Sequence, residues 1–422
     1  SFATKKYTIK KVQEFYENRY TLLCPNEEWP AARPNKVSAF HDCLEQANAV
    51  FGESYGQEVP LWFAPPGSEP KEDPSFQRSN SHESVAQECQ VVREAVGIID
   101  ATSFAKYEIS GADAEVFMDY MFASRLPQLG RIKLGPLLMP SGHLKGDLTV
   151  MRLAEDRFLV VGSGYLQEYH MLWFEQHSDE YNIQITNRSD DLSGIAISGP
   201  RSRELLGLLS SAAVDNDAIP FMSVHSMDVG LAPCLVARLS ISGELGYEIY
   251  TPAAYARSLY KEILDVGHKL DIGVFGIRAL LSLRLEKSFG IWLREFSPDY
   301  TPVMSGMNRF IDYKNPNFIG AQSALEDLEK KQQYRLVTLE IDSLDADAWG
   351  YEPIWHKEKL AGFVTSGGYG HMVNKSLAMG YVKTEVIDLS YKDLSVQVVN
   401  GQRPAIILSE APYNPSGSRM RM

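Results

Sequence analysis

The fold class that the sequence predicts is α+β. Three observations carry it. Short strand and helix patterns alternate from Ala101 onward, the clearest strand pairs are joined by tight turns and so run antiparallel, and after about residue 332 the chain changes to short β-rich runs. Size and composition agree. A chain of 422 residues divides into two or three domains at roughly 150 residues each. Its 44% hydrophobic and 23% charged residues are ordinary for a globular protein.

Residues 1–75 read as an N-terminal arm and linker-like segment. A Lys-rich helical pattern is followed by Pro25, Pro30, Pro34, Pro60, Pro65 and Pro66, with Phe51-Gly52-Glu53-Ser54-Tyr55-Gly56 between them, which predicts an extended course. Residues 70–81 are polar and rich in structure breakers, placing a boundary just before a helical stretch from His82 to Val96. The main body spans 76–331. Within it, Leu148–Leu153 and Phe158–Val161 form a hairpin, and Leu235–Ser240 pairs with Tyr247–Tyr250 around Ser242-Gly243-Glu244-Leu245-Gly246. Thr251 is expected to cap the next helix and Pro252 to begin it, with Tyr255, Leu259, Ile263 and Val266 as its buried stripe. Glu329-Lys330-Lys331-Gln332-Gln333 is a solvated junction. Residues 332–422 then supply runs at 336–341, 359–365, 394–399 and 403–407, which suit a small C-terminal β-barrel.

Several function classes are disfavoured. A net charge of −13 repels a phosphate backbone, so no nucleic-acid partner is expected. Cys24, Cys43, Cys89 and Cys234 are scattered without a metal-type cluster, which predicts no metal site and a reducing compartment. No run approaches the roughly 18 apolar residues that span a bilayer, and Ser1-Phe2-Ala3-Thr4-Lys5-Lys6 has no apolar signal core, so no membrane association is expected. The missing initiator Met reads as processing or trimming. Gly162-Ser163-Gly164 lacks the third glycine of a dinucleotide turn, and GxxxxGK[ST], HExxH and GxSxG are absent. There is therefore no self-contained FAD or NAD motif.

Two acidic residues stand out by context. Asp147 closes Pro140-Ser141-Gly142-His143-Leu144-Lys145-Gly146-Asp147 at the entry to an apolar strand, where a partly desolvated carboxylate can face a substrate amine; an Asp that merely ends a turn is the competing reading. Glu248 interrupts Leu245, Tyr247, Ile249 and Tyr250, and a carboxylate there can accept two parallel N–H bonds, or simply point outward from the strand.

At these residues the chain resembles the folate-binding aminomethyltransferase family, meaning the T-protein of glycine cleavage and, more closely, the C-terminal folate half of dimethylglycine and sarcosine dehydrogenases. The carriers are Gly97-Ile98-Ile99-Asp100, Pro140-Ser141-Gly142 leading to Asp147-Leu148-Thr149-Val150, Ile197-Ser198-Gly199-Pro200, and Gly243-Glu244-Leu245-Gly246-Tyr247-Glu248. Leu283-Arg284-Leu285-Glu286-Lys287, Phe318-Ile319-Gly320, Thr365-Ser366-Gly367 and Ala378-Met379-Gly380-Tyr381-Val382 continue the series. Each is weak alone, and their order and spacing together are specific. The segment from Val50 to Ala64 is similar to the one that joins flavin and folate halves in those dehydrogenases.

The resemblance implies a three-domain ring of the aminomethyltransferase type, with mixed antiparallel sheets and a C-terminal β-barrel, holding tetrahydrofolate in a central channel. It implies Asp147 as the catalytic acid beside the folate amine and Glu248 as the acceptor for the pterin edge. Tyr247, Trp292, Ile241 and Leu134 are carried over as cofactor-binding positions. Departures accompany them: Ile241 and Leu134 stand where the family usually has tyrosine, and Leu280 stands where the T-protein has arginine. Loss of such stacking weakens binding by about 1 kcal/mol. Trp292, Tyr247 and Tyr369 are core or cavity candidates, Arg284 is expected to hold Glu286 or a carbonyl, and His143 is expected to be a solvated turn residue.

The implied function is capture of a one-carbon unit from an N-methyl amine of the dimethylglycine or sarcosine kind as 5,10-methylenetetrahydrofolate. The small-molecule partner is that amine or its iminium or formaldehyde product, with a flavoprotein partner as its source. Direct methyl transfer from a sulfonium, quaternary ammonium or aryl ether is the first alternative, and a non-catalytic regulatory or scaffold subunit the second. The expected location is the cytoplasm, or the mitochondrial matrix in a eukaryote.

Overall fold

The computed structural model describes residues 4–389, 393–399 and 401–422. Helix α1 (Lys5–Asn18) starts at Thr4, whose side chain accepts the Tyr7 N–H, and α2 (His41–Gln46) follows. The segment expected to be extended then forms an antiparallel hairpin, β1 (Ala49–Ser54) with β2 (Gln57–Phe63). Its physical basis is the turn, where Tyr55 and Gly56 both take positive φ, 52° and 84°, the geometry that matches strand twist. Alternation buries Ala49 and Phe63 in one cluster and Val50 and Trp62 in another, so residues from Phe40 onward belong to the folded body rather than to a loose arm. The prolines hid this pattern, and Pro60 sits beside a register shift where pairing is irregular.

Helix α3 (His82–Glu94) leads directly into β3 (Val96–Asp100). The chain then builds a second body before returning to the first. Strands β4 (Ala105–Ser110), β5 (Ile132–Leu138), β6 (Leu144–Ala154), β7 (Arg157–Gly162) and β8 (Gln184–Asn187) form an antiparallel sheet in the order β5-β6-β7-β4-β8. Helices α4 (Ala114–Met121) and α5 (Gln167–Glu175) cover one face, packing Phe117, Met118 and Phe174 on Leu148, Val150 and Ile109. The β6–β7 hairpin is the one the sequence predicts.

Strands β9 (Leu192–Ser198), β10 (Ser223–Val229), β11 (Ala232–Arg238), β12 (Gly246–Pro252) and β13 (Ile272–Val274) join β3 in a six-stranded sheet, ordered β10-β11-β12-β9-β3-β13, with β13 parallel to β3. Helices α6 (Ser202–Leu209) and α7 (Ala253–Gly267) cover one face through Leu205, Leu206, Leu259 and Ile263. Two details of α7 differ from expectation. Thr251 stays in β12 and donates its hydroxyl to the Pro233 carbonyl at 3.0 Å instead of capping the helix. The stripe runs Ala256, Leu259, Tyr260 and Ile263, leaving Tyr255 exposed, because the helix begins at Ala253.

Helix α8 (Ile277–Glu286) passes to the C-terminal body. There β14 (Tyr334–Ile341), β15 (Pro353–His356), β16 (Lys359–Gly370), β17 (Lys375–Lys383), β18 (Leu394–Val398) and β19 (Gly401–Leu408) close the expected barrel, ordered β14-β17-β16-β15-β18-β19. Strand β17 eluded the pattern because Ser376–Val382 are all buried, so alternation is absent. Arg93 on α3 reaches Glu244 at 3.0 Å and Glu286 at 2.8 Å with all three side chains almost fully buried. Arg419 closes on Glu244 as well, fastening the C-terminal segment to the same knot. Among the described residues, no helix is long and apolar enough to cross a membrane.

Candidate active site

The five-stranded and six-stranded open sheets meet face to face. Met151, Leu159 and Val161 of one share a buried cluster with Val224, Ala237 and Tyr250 of the other. Strand periodicity then locates both carboxylates. Asp147 and Thr149 lie on the same face of β6 as Met151, while Glu248 shares the face of Tyr250 on β12 and stands directly across from Ala237. Asp147 and Glu248 thus project from facing sheet surfaces that converge on one seam.

Glu248 has alanines, Ala237 and Ala196, as its cross-strand neighbours, so space is left above its carboxylate. That space is a small cavity lined by Asp100, Phe104, Leu239, Ile241, Glu248 and Leu280, among others. The lining is mainly apolar, and burial raises the Glu248 pKa, opposed by the Tyr250 hydroxyl and by the charge of Lys106. The Tyr250 hydroxyl donates to Oε2. Among the described residues no protein donor engages Oε1, so one oxygen of a desolvated carboxylate is left open.

Asp147 is half-buried within β6, opposite Pro136 of β5, so it does not end a turn. Among the described residues its only hydrogen-bond donor is its own backbone N–H, and burial pushes its carboxyl up to about 7. Tyr165 lies close enough to feel that charge, and its hydroxyl donates to the Trp292 carbonyl at 3.0 Å. Leu134 pairs with Thr149, one alternation from the Pro136–Asp147 pair, and therefore shares the Asp147 face. Leu134, Tyr165 and Trp292 all pack in one cluster, with Trp292 only 3% exposed. These residues gather around Asp147, and Ile241 and Leu280 gather around Glu248.

Tyr247 is placed elsewhere. As the neighbour of Glu248 on a strand it points to the opposite face, where it is buried with Ile197, Ile249 and Leu259. Its backbone borders the cavity while its ring belongs to the core. Arg284 bonds Glu295 at 3.0 Å, the Phe289 carbonyl and Ser366, whereas Glu286 is held by Arg93. With Tyr369 it lines a separate cleft of about 230 Å³ between residues 75–82, α8 and the barrel. His143 contacts the Ser141 hydroxyl at 3.2 Å, as a turn histidine does. Sequence reasoning missed Tyr165, Lys106 and the bond from Tyr250; only the last had a signal, two positions from Glu248 on one strand face.

Among the described residues no three His, Cys, Asp or Glu side chains gather as a metal would require. The donor set suits an organic ligand with an N–H-rich edge and an amine: a carboxylate with a free oxygen over apolar walls, and a second carboxyl that titrates near neutrality. Reduced folate has both features.

The fold is that of a T-protein-type body. A sequence model described as the GCVT N-terminal domain matches residues 40–315, and one described as the glycine cleavage T-protein C-terminal barrel domain matches residues 335–414. The chain belongs to this folate-binding aminomethyltransferase family. Dimethylglycine dehydrogenase, mitochondrial, from Mus musculus is 32% identical over 425 residues, covering 100% of this chain and 49% of that protein. An aminomethyltransferase from Desulfitobacterium hafniense is 28% identical over 303 residues, covering 71% of this chain and 82% of that protein. The crystal structure of glycine cleavage system aminomethyltransferase T from Bartonella henselae shares the fold at a TM-score of 0.78, with 22% identity over 90% of this chain and 99% of that one. The chain spans about half the length of the dimethylglycine dehydrogenases it matches.

Proposed function

We propose that this chain is a tetrahydrofolate-dependent one-carbon transferase, taking its carbon from an N-methyl amine of the dimethylglycine or sarcosine kind and yielding 5,10-methylenetetrahydrofolate. The observation that carries the reading is Asp147: a carboxyl with no cationic partner among the described residues, titrating at about 7, on a surface facing Glu248. Tetrahydrofolate, when bound, supplies the two amine nitrogens that hold the one-carbon unit.

The chain's own residues do three things. Glu248 accepts the N–H edge of the ligand through Oε1 and fixes its orientation, a role that neutral acceptors fill less well. Ile241, Leu239, Phe104 and Leu280 exclude water around that edge. Asp147 exchanges a proton at its carboxyl oxygen with the nearby amine, and a value near 7 lets it both give and accept at working pH. The carbon donor reaches this site as an iminium or formaldehyde made by a flavoprotein partner. The similarity to dehydrogenases described as mitochondrial supports a mitochondrial matrix location.

The test is product formation by wild type and Asp147→Asn with tetrahydrofolate and formaldehyde, read against the uncatalysed rate. The expected result is a loss of about 100-fold or more in kcat for the variant with folate affinity kept. An Asp147→Asn protein that turns over like wild type overturns the assigned role. The apolar residues at Leu134, Ile241 and Leu280 favour direct methyl transfer as a second reading. That reading predicts 5-methyltetrahydrofolate from a methylated sulfonium, quaternary ammonium or aryl ether with no oxidant present.

A further inference from the structure

Lys106 lies on β4, on the face turned toward the six-stranded sheet, and its side chain is 0% exposed. A lysine so withdrawn from water is costly unless its ammonium is satisfied. Its Nζ donates to the Thr102 carbonyl at 2.9 Å and the Phe104 carbonyl at 2.8 Å, both in the turn between β3 and β4. The same Nζ stands 6.0 Å from the centre of the Tyr250 ring, and the Tyr250 hydroxyl in turn donates to Glu248. Phe104, Asp100 and Glu248 all line the same cavity. Lys106 is therefore a fixed, buried cation bonded to a wall of the same cavity that Glu248 lines, and no step of the proposed reaction uses it.

We propose that Lys106 is a positioning residue that keeps Glu248 in its carboxylate form, so that the cavity accepts a double N–H donor. This rests on the folate reading of Glu248 given above. The charged groups around the ammonium are few. Asp100 of β3 and Glu248 of β12 are the buried anions, and Lys36 and Asp190 pair with each other and largely cancel. One cation thus serves two carboxylates, Asp100 being held also by the Thr102 N–H at 2.8 Å. Burial pushes Lys106 down to about 8 and raises both carboxylates, so the ammonium is still charged at neutral pH, and its field adds to the larger influence of the Tyr250 hydroxyl in opposing protonation of Glu248. Without it, Glu248 takes up a proton and loses acceptor capacity.

The experiment is calorimetric titration of the full chain with tetrahydrofolate from pH 6 to pH 9, for wild type, Lys106→Met, Lys106→Arg and Glu248→Gln. Wild-type affinity is expected to stay flat through most of this range. Lys106→Met should bind at least tenfold more weakly at pH 6.5 and recover toward the wild-type value at pH 9, with Lys106→Arg restoring the wild-type profile. A Lys106→Met profile parallel to wild type, or weakened equally at every pH, overturns the proposal. Asp100→Asn supplies an independent arm if Lys106→Met does not fold: with the titration of this variant and wild type extended down to about pH 5 to reach the acidic limb, freeing the ammonium for Glu248 should move that limb to lower pH, and an unmoved limb counts against the idea. Glu248→Gln separates the two levels. If that variant binds as tightly as wild type, the folate reading itself fails; if it weakens while the Lys106 profile is unmoved, only the role of Lys106 fails.

Discussion

The Tyr250 hydroxyl donates to Glu248 Oε2 across one alternation of β12, so the acceptor that faces the cavity is held by a residue of its own strand. A hydrogen bond to a charged group contributes about 1.5–3 kcal/mol. Tyr250→Phe keeps the ring in its cluster and removes only this donor, and it should lower Tm and weaken tetrahydrofolate binding about tenfold. Fluorescence titration against wild type checks it.

The activity of the chain should carry a pH limb near 7. Asp147 is the group that gives it, since burial pushes its carboxyl up to about 7. The limb should be present in the kcat profile of wild type and absent from the residual activity of Asp147→Asn.

Asp147 also costs stability above neutrality. A carboxyl whose folded pKa is raised binds its proton more tightly when folded, so its contribution falls as pH rises from the ordinary 3.8 through about 7. Asp147→Asn removes that ionisation. Its Tm should exceed that of wild type by a few degrees at pH 8, with the gain shrinking steadily toward pH 4, as differential scanning calorimetry at several pH values will show.

Ile241 lines the Glu248 cavity where an aromatic ring would stack on a flat ligand. Ile241→Tyr should tighten tetrahydrofolate binding by about 1 kcal/mol, roughly fivefold. Unchanged or weaker binding would mean that the ligand plane does not pass Ile241.

Arg93 is the cation of the buried knot with Glu244 and Glu286. Arg93→Met leaves two carboxylates buried with less compensation, and it should lower stability by about 3–5 kcal/mol. Thermal unfolding measures this directly.

How much of this was legible in the sequence follows from which forces act locally. The β6–β7 and β11–β12 hairpins were readable because alternation and turns are local, and Asp147 and Glu248 because they break apolar strand runs. Tyr247 shows the limit of carrying positions over by motif, since the strand period alone puts it on the far face from Glu248. The β1–β2 hairpin was hidden by prolines at places where strand pairing is already irregular. Lys106 left no signal at all: a lysine alternating with Tyr107 and Ile109 reads as a solvated strand face until a second sheet is seen to cover it. That Asp147 and Glu248 stand on facing sheet surfaces is likewise a product of sheet packing, since nothing local in the sequence pairs the two strands.

The measurement that tests the central claim most directly is calorimetric titration of the pure chain with tetrahydrofolate beside a Glu248→Gln variant at neutral pH. The account predicts saturable binding by wild type and a loss of about 10- to 100-fold in the variant, the worth of a charge-assisted acceptor. Absence of binding by wild type, or equal affinity in the two proteins, would contradict it.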